Sequence, residues 1–276
     1  MVQRIITAAI LLCIFIPALL LSHTFVFPLL AAVLSAVAAM EMQKCVNIHK
    51  LYAISVPTVL FAFLIPLLSR TGDVNIYRNY LYFVFCFLFY LLIVGIFCND
   101  KIKFEQIALA FFTAIFLSLS FSSIVLLRDV PKIGHYAYIL IFIGAWVSDT
   151  FAYFTGMLLG KHKLIPKISP KKTVEGSVGA VVFCAASFAL YGFILAKYFA
   201  LESNILVLAL VGAVISCVSQ LGDLCMSAIK RNYAVKDYGR IFPGHGGVLD
   251  RFDSILAVAP VLFLAFGNPD FLNAIH

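Results

Sequence analysis

Residues 204–231 read NILVLALVGAVISCVSQLGDLCMSAIKR, an apolar run interrupted by regularly spaced polar side chains. A helix needs about 20 consecutive apolar residues to span a bilayer, and this run is long enough. The polar residues follow one another at steps of 4, 3, 4 and 3, at Ser216, Gln220, Asp223, Ser227 and Lys230. Such steps place all five side chains on one face of an α-helix. The stretch therefore predicts a membrane helix with one polar face.

The members of this polar face have different expected roles. Ser216 and Gln220 are typical of hydrogen bonds between neighbouring membrane helices. Asp223 is different, because a carboxylate deep in a membrane costs on the order of 3 kcal/mol. We therefore expect Asp223 to serve the function of the protein.

Two further acids lie in or beside apolar runs. Asp149 shares one helical face with Tyr153, Gly156 and Gly160, and its spacing fits either a functional acid or a structural hydrogen bond to a neighbouring helix. The glycines of that face predict close approach of another helix. Glu41, near the end of an earlier run, gives a weaker signal, and a position among the lipid headgroups would also explain it.

The rest of the chain repeats the apolar pattern. Hydrophobic residues make up 63% of the 276 residues and charged residues 12%, against roughly 25% charged in soluble domains. The apolar runs occupy residues 4–22, 24–43, 51–69, 79–98, 104–127, 136–160, 177–200, 204–228 and 250–267. We expect an all-α, polytopic integral membrane helical bundle of about nine transmembrane helices. We expect a single domain, residues 1–276, with an N-terminal helical array over 1–130 and a second half over 131–276 that carries the polar motifs discussed below. The first run is expected to be a span and not a signal peptide, because it lacks a convincing cleavage site.

The basic residues predict the orientation of this bundle. Nine spans place fifteen of the 20 lysines and arginines on the side that holds the N-terminus, and five on the other side. Cytoplasmic loops carry the Lys and Arg excess, so the N-terminus is expected inside and the C-terminus outside. The net charge of +7 fits this topology and attraction to anionic headgroups, and it also fits an anionic substrate.

Residues 227–253, SAIKRNYAVKDYGRIFPGHGGVLDRFD, join the eighth and ninth spans and concentrate charge and glycine. Asp223 and Asp250 stand at adjacent helix ends, and Asp253 lies one turn after Asp250 on the same face. Carboxylates brought together in this way suit Mg²⁺, which usually shares its oxygen ligands with substrate phosphates. Gly246 and Gly247 allow close approach of the backbone to phosphate oxygens. The segment indicates metal-assisted phosphoryl or nucleotidyl chemistry at the inner membrane surface.

A second basic segment, SPKKTVEG at residues 169–176, precedes the seventh span. Ser169 and Pro170 predict a rigid turn. Gly176 opens the following helix, whose N-terminus points inward under the predicted topology. Because Lys171 and Lys172 lie beside the free N–H groups of that helix end, we expect an anion site there.

The polar segments resemble the motifs of one enzyme family, the phosphatidate cytidylyltransferases, also called CDP-diacylglycerol synthases. Residues 227–253 resemble its defining motif without departure, at Ser227, Lys230, Arg231, Lys236, Asp237, Gly239, Pro243, His245, Gly246, Gly247, Asp250, Arg251 and Asp253. Two further stretches are similar to the family, one from Asp149 to Gly156 and one from Ser169 to Gly176. The resemblance covers residues 145–255, and the first half matches only as a hydrophobic array.

This resemblance implies an enzyme that converts CTP and phosphatidic acid to CDP-diacylglycerol and pyrophosphate with Mg²⁺. It implies Asp223 and Asp250 as metal ligands, with Asp149 and Asp253 as supporting acids or further ligands. It assigns phosphate or other substrate contacts to the remaining motif residues: Ser227, Lys230, Arg231, Lys171, Lys172, Lys236, Arg251, and the backbone cradle His245, Gly246 and Gly247. A bacterial inner membrane location follows, with the active site facing the cytoplasm and no nucleic-acid partner. A homodimer and a monovalent cation such as K⁺ are left open.

Two other classes of membrane protein share parts of this pattern. An anion transporter would also carry intramembrane carboxylates, but its chemistry would lie at the midplane and a repeat would be expected. Another lipid phosphotransferase or a polyprenol kinase shares the substrate logic. The Asp-Gly-x-x-Ala-Arg pattern of the CDP-alcohol phosphotransferases is absent from the sequence.

Overall fold

A computed structural model of the protein describes residues 13, 15–70, 76–98, 100–199, 201, 203–242, 244, 246–267 and 275. Its helices, in chain order, are α1 (Val26–Cys45), α2 (Tyr52–Leu68), α3 (Ile76–Phe97), α4 (Phe104–Arg128), α5 (Gly134–Ala137), α6 (Ile139–Leu159), α7 (Val174–Phe199), α8 (Ile205–Asn232) and α9 (Leu249–Phe266). Its strands are β1 (Lys163–Ile165) and β2 (Ser169–Thr173).

Long apolar helices dominate the described part of the chain. Six helical stretches are long and apolar enough to cross a membrane: Val26–Cys45, Asn79–Phe97, Phe104–Arg128, Gly134–Leu159, Val174–Phe199 and Ile205–Asn232. The shorter α2 is apolar as well. The polytopic helical membrane fold is therefore confirmed, whereas the count of nine spans and the orientation stay predictions.

Most predicted spans coincide with observed helices. From the second run onward, each run corresponds to a helix whose bounds differ from the predicted ones by only a few residues, and the sixth is divided into α5 and α6. About half of the first run, residues 4–22, lies outside the described residues, and within the described half residues 15–20 are helical. Hydrophobic run length is a dependable guide here because backbone polar groups in lipid must be satisfied within each helix.

A short β-hairpin between α6 and α7 departs from the predicted turn. Strand β1 pairs antiparallel with β2, with Lys163 opposite Thr173 and Ile165 opposite Ser169. Ser169 and Pro170 thus belong to a strand, and the turn lies at residues 166–168. Proline is tolerated in this position because both strands of a two-stranded sheet are edge strands.

The chain divides into two compact units, each built from two segments. The first unit contains Met1–Val125 and Tyr233–Phe252, and the second contains Leu126–Asn232 and Asp253–His276. In the first unit, α1 and α2 are joined by a reciprocal pair of hydrogen bonds. Gln43 donates to the Ser55 carbonyl oxygen at 2.9 Å, and the Ser55 hydroxyl donates to the Gln43 side-chain oxygen at 2.6 Å.

Small residues set the helix spacing in the second unit. A Cβ added to Gly176 of α7 would lie 2.6 Å from the Ala152 carbonyl oxygen and 3.1 Å from the Gly156 Cα of α6. This close approach of α6 and α7 confirms the prediction made from Gly156. Between α7 and α8, the Gln220 side chain donates to the Ser177 carbonyl oxygen at 3.3 Å and accepts from the Ser177 hydroxyl. The expected interhelical role of Gln220 is therefore observed.

Candidate functional site

The polar face of α8 carries an ion pair at Asp223. The Lys172 ammonium on β2 contacts Oδ2 of Asp223, and both side chains are about one fifth exposed, at 21% and 23%. The Ser227 hydroxyl lies 3.5 Å from Oδ1 of the same carboxylate, one helical turn further along. A partly buried carboxylate is stabilised by such a neighbouring cation. The hairpin thus places Lys172, from the basic segment 169–176, in contact with Asp223 of α8.

Three carboxylates from α6, α8 and α9 converge in the second unit, and we call Asp149, Asp223 and Asp253 the acidic cluster. Asp253 interacts electrostatically with Asp223, Asp149 and Lys230. The Ser254 hydroxyl donates to the carboxylate of Asp149, at 3.1 Å from Oδ2. Asp149 therefore has the structural hydrogen bond to another helix that its spacing allowed. Like charges in one place favour a compensating cation, so the cluster is suited to attract one.

The acidic cluster has suitable donors for a hard cation. Mg²⁺ prefers oxygen ligands such as carboxylates, and the cluster offers them. Among the described residues, however, no group of three His, Cys, Asp or Glu side chains has the arrangement of a metal site. Oδ2 of Asp223 is already in contact with Lys172. The donor chemistry fits a divalent cation, and binding one at Asp223 would require the lysine to shift.

Basic residues stand at the end of α8, close to the hairpin. Lys230 and Arg231 both lie in the last turn of α8, where cations are favoured by the helix dipole. Lys230 is only 8% exposed. The Nε of Arg231 donates to the Ile168 carbonyl oxygen in the hairpin turn, at 3.5 Å. Lys171, the neighbour of Lys172 on β2, is exposed.

Two details of the second unit differ from the sequence-based expectation. Asp223 does not end its helix, because the apolar and polar pattern of α8 continues to Asn232. The expected anion site at the start of α7 is partly filled by the protein itself. Thr173 accepts a hydrogen bond from the Gly176 N–H at 3.2 Å, and the Val174 N–H donates to the His162 carbonyl oxygen at 2.9 Å. These N–H groups are therefore not free to bind an anion.

In the first unit, residues 233–248 form a segment that we call the glycine loop. Gly244 and Gly246 have φ angles of 77° and 86°, a left-handed conformation that favours glycine. The Phe242 N–H donates to the Gly246 carbonyl oxygen at 2.9 Å, which closes a tight turn. Pro243 and His245 of the same motif lie outside the described residues. The turn explains why glycine is needed at Gly246.

Asp250 ties the glycine loop to the start of α9. Its Oδ2 accepts hydrogen bonds from the N–H groups of Tyr238, at 2.8 Å, and Gly247, at 3.0 Å. Asp250 is 8% exposed and lies in the first turn of α9, as predicted. Because the Gly247 N–H is donated to Asp250, the expected backbone cradle lacks that donor in this conformation.

Glu41 of α1 is a residue of this site that sequence reasoning undervalued. It is 3% exposed, and its carboxylate accepts from the N–H groups of Val248, at 3.1 Å, and Leu249, at 2.9 Å. It therefore caps the N-terminus of α9, which a negative charge stabilises. A position among solvated headgroups does not describe this buried carboxylate.

The basic side chains of the glycine loop face a small cavity. Lys236 and Arg240 line it together with Val235, Asp237, Tyr238 and Gly239, and its volume is about 310 Å³. Lys236, Arg240 and the following Arg251 are all exposed. Exposed cations beside a cavity can contact an anionic ligand without a large desolvation cost.

The predicted site residues thus form two groups. Asp149, Lys172, Asp223, Ser227, Lys230 and Asp253 come together in the second unit. Asp250, Gly246 and Gly247 come together in the first unit. Asp223 and Asp250 belong to different units, so a metal ion shared by these two acids stays a prediction.

Comparisons with known proteins match the chain over nearly its whole length. A family model described as the cytidylyltransferase family matches residues 2–267. A protein named phosphatidate cytidylyltransferase from Staphylococcus haemolyticus (strain JCSC1435) is 34% identical over 261 residues, covering 94% of this chain and 96% of the relative. Relatives with the same name from Staphylococcus saprophyticus subsp. saprophyticus and Staphylococcus aureus (strain COL) are each 33% identical, with the same coverage of 94% and 96%.

Proposed function

The chain belongs to the cytidylyltransferase family, and we propose that it transfers a cytidylyl group from CTP to phosphatidate. The products are CDP-diacylglycerol and pyrophosphate. The observation that carries this proposal is the acidic cluster on apolar helices, joined by the ion pair of Asp223 and Lys172 with Lys230 nearby. Carboxylates and cations on membrane helices are costly, and a reaction between a lipid phosphate and a nucleotide would use both.

The proposed reaction brings two polyanions together. An oxygen of the phosphatidate phosphate forms a bond to the α-phosphorus of CTP, and the bond from that phosphorus to the bridging oxygen of the β-phosphate breaks. The electron pair leaves with pyrophosphate. Since the attacking phosphate is already anionic, little general-base help is needed. Charge neutralisation and in-line positioning supply most of the rate enhancement.

Basic residues of the chain would neutralise the phosphates. Lys230 and Arg231 at the end of α8, with Lys171 and Lys172 of the hairpin, are proposed phosphate contacts. Ser227 is a proposed hydrogen-bond donor beside them. The exposed Lys236 and Arg251 are proposed as further substrate contacts, together with the backbone of His245, Gly246 and Gly247. Guanidinium groups can hold two phosphate oxygens at once, whereas lysine acts as a point charge.

A divalent cation is part of the proposal. Asp223 and Asp250 would hold Mg²⁺, with Asp149 and Asp253 as supporting acids, because carboxylate oxygens are the ligands this ion prefers. When bound, the ion would neutralise charge on the triphosphate and the developing leaving group. The chain's own contribution there is to supply these carboxylate oxygens and to place the Lys172 cation beside Asp223 while the metal is absent.

The protein is a membrane protein, and we propose that its active groups face the cytoplasm of a bacterial inner membrane. The support is the Lys and Arg excess on one predicted side, together with the cytosolic source of CTP. The matched relatives named above are bacterial.

Product formation by the purified full-length protein tests the proposal. Protein in detergent is incubated with CTP, phosphatidate and Mg²⁺, and CDP-diacylglycerol and pyrophosphate are measured together. We expect equal amounts of both products, with no lipid nucleotide when ATP replaces CTP or diacylglycerol replaces phosphatidate. Folded protein that makes no CDP-diacylglycerol would contradict the proposal. Product from a polyprenol or diacylglycerol acceptor instead would indicate a different lipid phosphotransferase.

A further inference from the structure

We propose that Glu41 of α1 is a positioning residue for the reaction, because it seats the glycine loop and the start of α9. This inference rests on the proposed function, since the loop contains several of the proposed substrate contacts. Glu41 lies in the first half of the chain, outside residues 145–255, where the motifs of the family lie. Its carboxylate meets the backbone of Val248, 207 residues further along.

The burial of Glu41 explains why its carboxylate is hydrogen-bonded to the start of α9. The side chain is 3% exposed at the end of an apolar helix, where an uncompensated carboxylate would be strongly unfavourable. Compensation comes from two backbone N–H groups, one for each carboxylate oxygen, at 3.1 and 2.9 Å. Asp250 adds an unfavourable electrostatic contribution, and Lys44, one turn later on α1, adds a favourable one. The Glu41 carboxylate is therefore held in place by hydrogen bonds and caps α9.

Two carboxylates divide three consecutive N–H groups between them. The Gly247 N–H donates to Asp250, and the N–H groups of Val248 and Leu249 donate to Glu41. The orientation of three successive peptide planes is thereby set at the junction of loop and helix. Asp250 also accepts from the Tyr238 N–H, so the same junction fixes the other side of the loop. Loss of Glu41 would release two of these three anchors.

Two glycines of the motif have their side-chain positions occupied by Glu41. A Cβ built on Gly239 or on Gly247 would overlap the Glu41 carboxylate at less than a van der Waals contact. Neither glycine has the positive φ angle that Gly244 and Gly246 have, so alanine would suit the backbone at both. Glycine is needed at Gly239 and Gly247 because of the Glu41 side chain, and not because of backbone conformation.

A double-mutant cycle distinguishes the direct contact between Glu41 and Gly247 from a general effect on packing. We would prepare the full-length variants Glu41→Ala, Gly247→Ala and the double variant, and measure melting temperature and turnover. We expect each single change to lower turnover about tenfold or more, and Gly247→Ala to add almost nothing once Glu41 is alanine. Such non-additivity is the signature of direct contact. Independent effects, which multiply in turnover and add in melting temperature, would overturn the inference.

Gly95→Ala on α3 is the matched control. A Cβ at Gly95 would meet Ile107, which is unrelated to Glu41, so its effect should combine additively with Glu41→Ala. The melting temperatures test the contact between Glu41 and Gly247 even when no activity can be measured. If the wild-type protein forms no CDP-diacylglycerol but the melting temperatures are non-additive, the proposed function is contradicted. The contact between Glu41 and Gly247 is then still supported.

Glu41→Gln distinguishes positioning from mere stability. Glutamine keeps the volume and one acceptor oxygen, but its amide donors would face a backbone N–H. We expect a folded, monodisperse protein whose kcat falls about tenfold and whose Mg²⁺ concentration for half-maximal rate rises, because Asp250 is displaced. A variant with a lower melting temperature but wild-type kcat, KM for CTP and Mg²⁺ dependence would show a purely structural role and overturn the inference.

Discussion

Lys172 on the hairpin is ion-paired with Asp223 on the polar face of α8. The pair joins two segments for which the sequence predicted different tasks. Lys172 was expected to bind a phosphate, and Asp223 was expected to bind a metal ion. At Oδ2 of Asp223 a lysine and a metal ion would compete for the same oxygen. In the proposed metal site, the strength of Mg²⁺ binding would therefore depend on how firmly the hairpin holds Lys172 at Asp223.

Asp223→Asn should nearly abolish turnover while the protein still inserts and purifies. The amide keeps the shape but loses the charge that binds a cation, and we expect a loss of about 100-fold or more in kcat. Cys225→Ala, an exposed position on the same helix, is the control and should retain activity. Near-normal activity with unchanged Mg²⁺ dependence in Asp223→Asn would rule out a ligand role for this acid.

Lys172→Ala should make the protein more responsive to Mg²⁺. Without the lysine, Asp223 loses its compensating charge, so the melting temperature should fall in the absence of metal. Added Mg²⁺ should then raise it by more than in the wild-type protein, because the ion no longer competes with Lys172. Lys171→Ala, at the exposed neighbouring position, should leave the metal-free melting temperature almost unchanged. An equal Mg²⁺ response in both variants and the wild type would contradict competition at Asp223.

CTP with Mg²⁺ should raise the melting temperature of the wild-type protein, since a ligand that binds only the folded state stabilises it by mass action. Lys230→Ala and Arg231→Ala should weaken this rise. Arg231→Lys should weaken it as well if the arginine holds two phosphate oxygens. Lys197→Ala is the control, because Lys197 contacts the rings of Phe193 and Tyr198. A response that survives both Lys230→Ala and Arg231→Ala would exclude these residues as nucleotide contacts.

Cysteine labelling in intact cells should reveal the predicted orientation. In a variant without native cysteines, positions 171 and 240 should react only with reagents that reach the cytoplasm. Position 274, near the predicted external C-terminus, should react from outside. Labelling of position 240 from outside would reverse the orientation and remove the access of the glycine loop to cytosolic CTP.

The helices were largely predictable because the thickness of the bilayer sets the length of an apolar run, and that length is visible in the sequence. The bounds of α1, α7 and α8 lie within a few residues of the predicted spans. The hairpin was not predictable, since strands of three and five residues are too short to show an alternating pattern. Ser169 and Pro170, which favour a turn locally, are held in β2 by pairing with β1.

Among the site residues, side-chain periodicity revealed the polar face of α8, and the ion pair of Asp223 needed the fold. Spacing cannot show that Lys172, and not the adjacent Lys171, points to Asp223. Glu41 was undervalued for a related reason. Its partners are backbone N–H groups, which have no residue identity, and the vacancies it fills are at Gly239 and Gly247. Those glycines were visible in the sequence, but nothing in their spacing identified a glutamate so far upstream.

The hydrogen bonds of Glu41 also join two segments that are synthesised at different times. During translation Glu41 emerges 207 residues before Val248, which at roughly 5–20 residues per second corresponds to some tens of seconds. The contact between the early helix and the late loop can therefore form only after the late loop has left the ribosome. A chain whose N-terminal helices were inserted wrongly would still contain every motif residue, but Glu41 would not be in place to hold the glycine loop. Quality control at the membrane would then meet a full-length protein whose defect lies at its beginning.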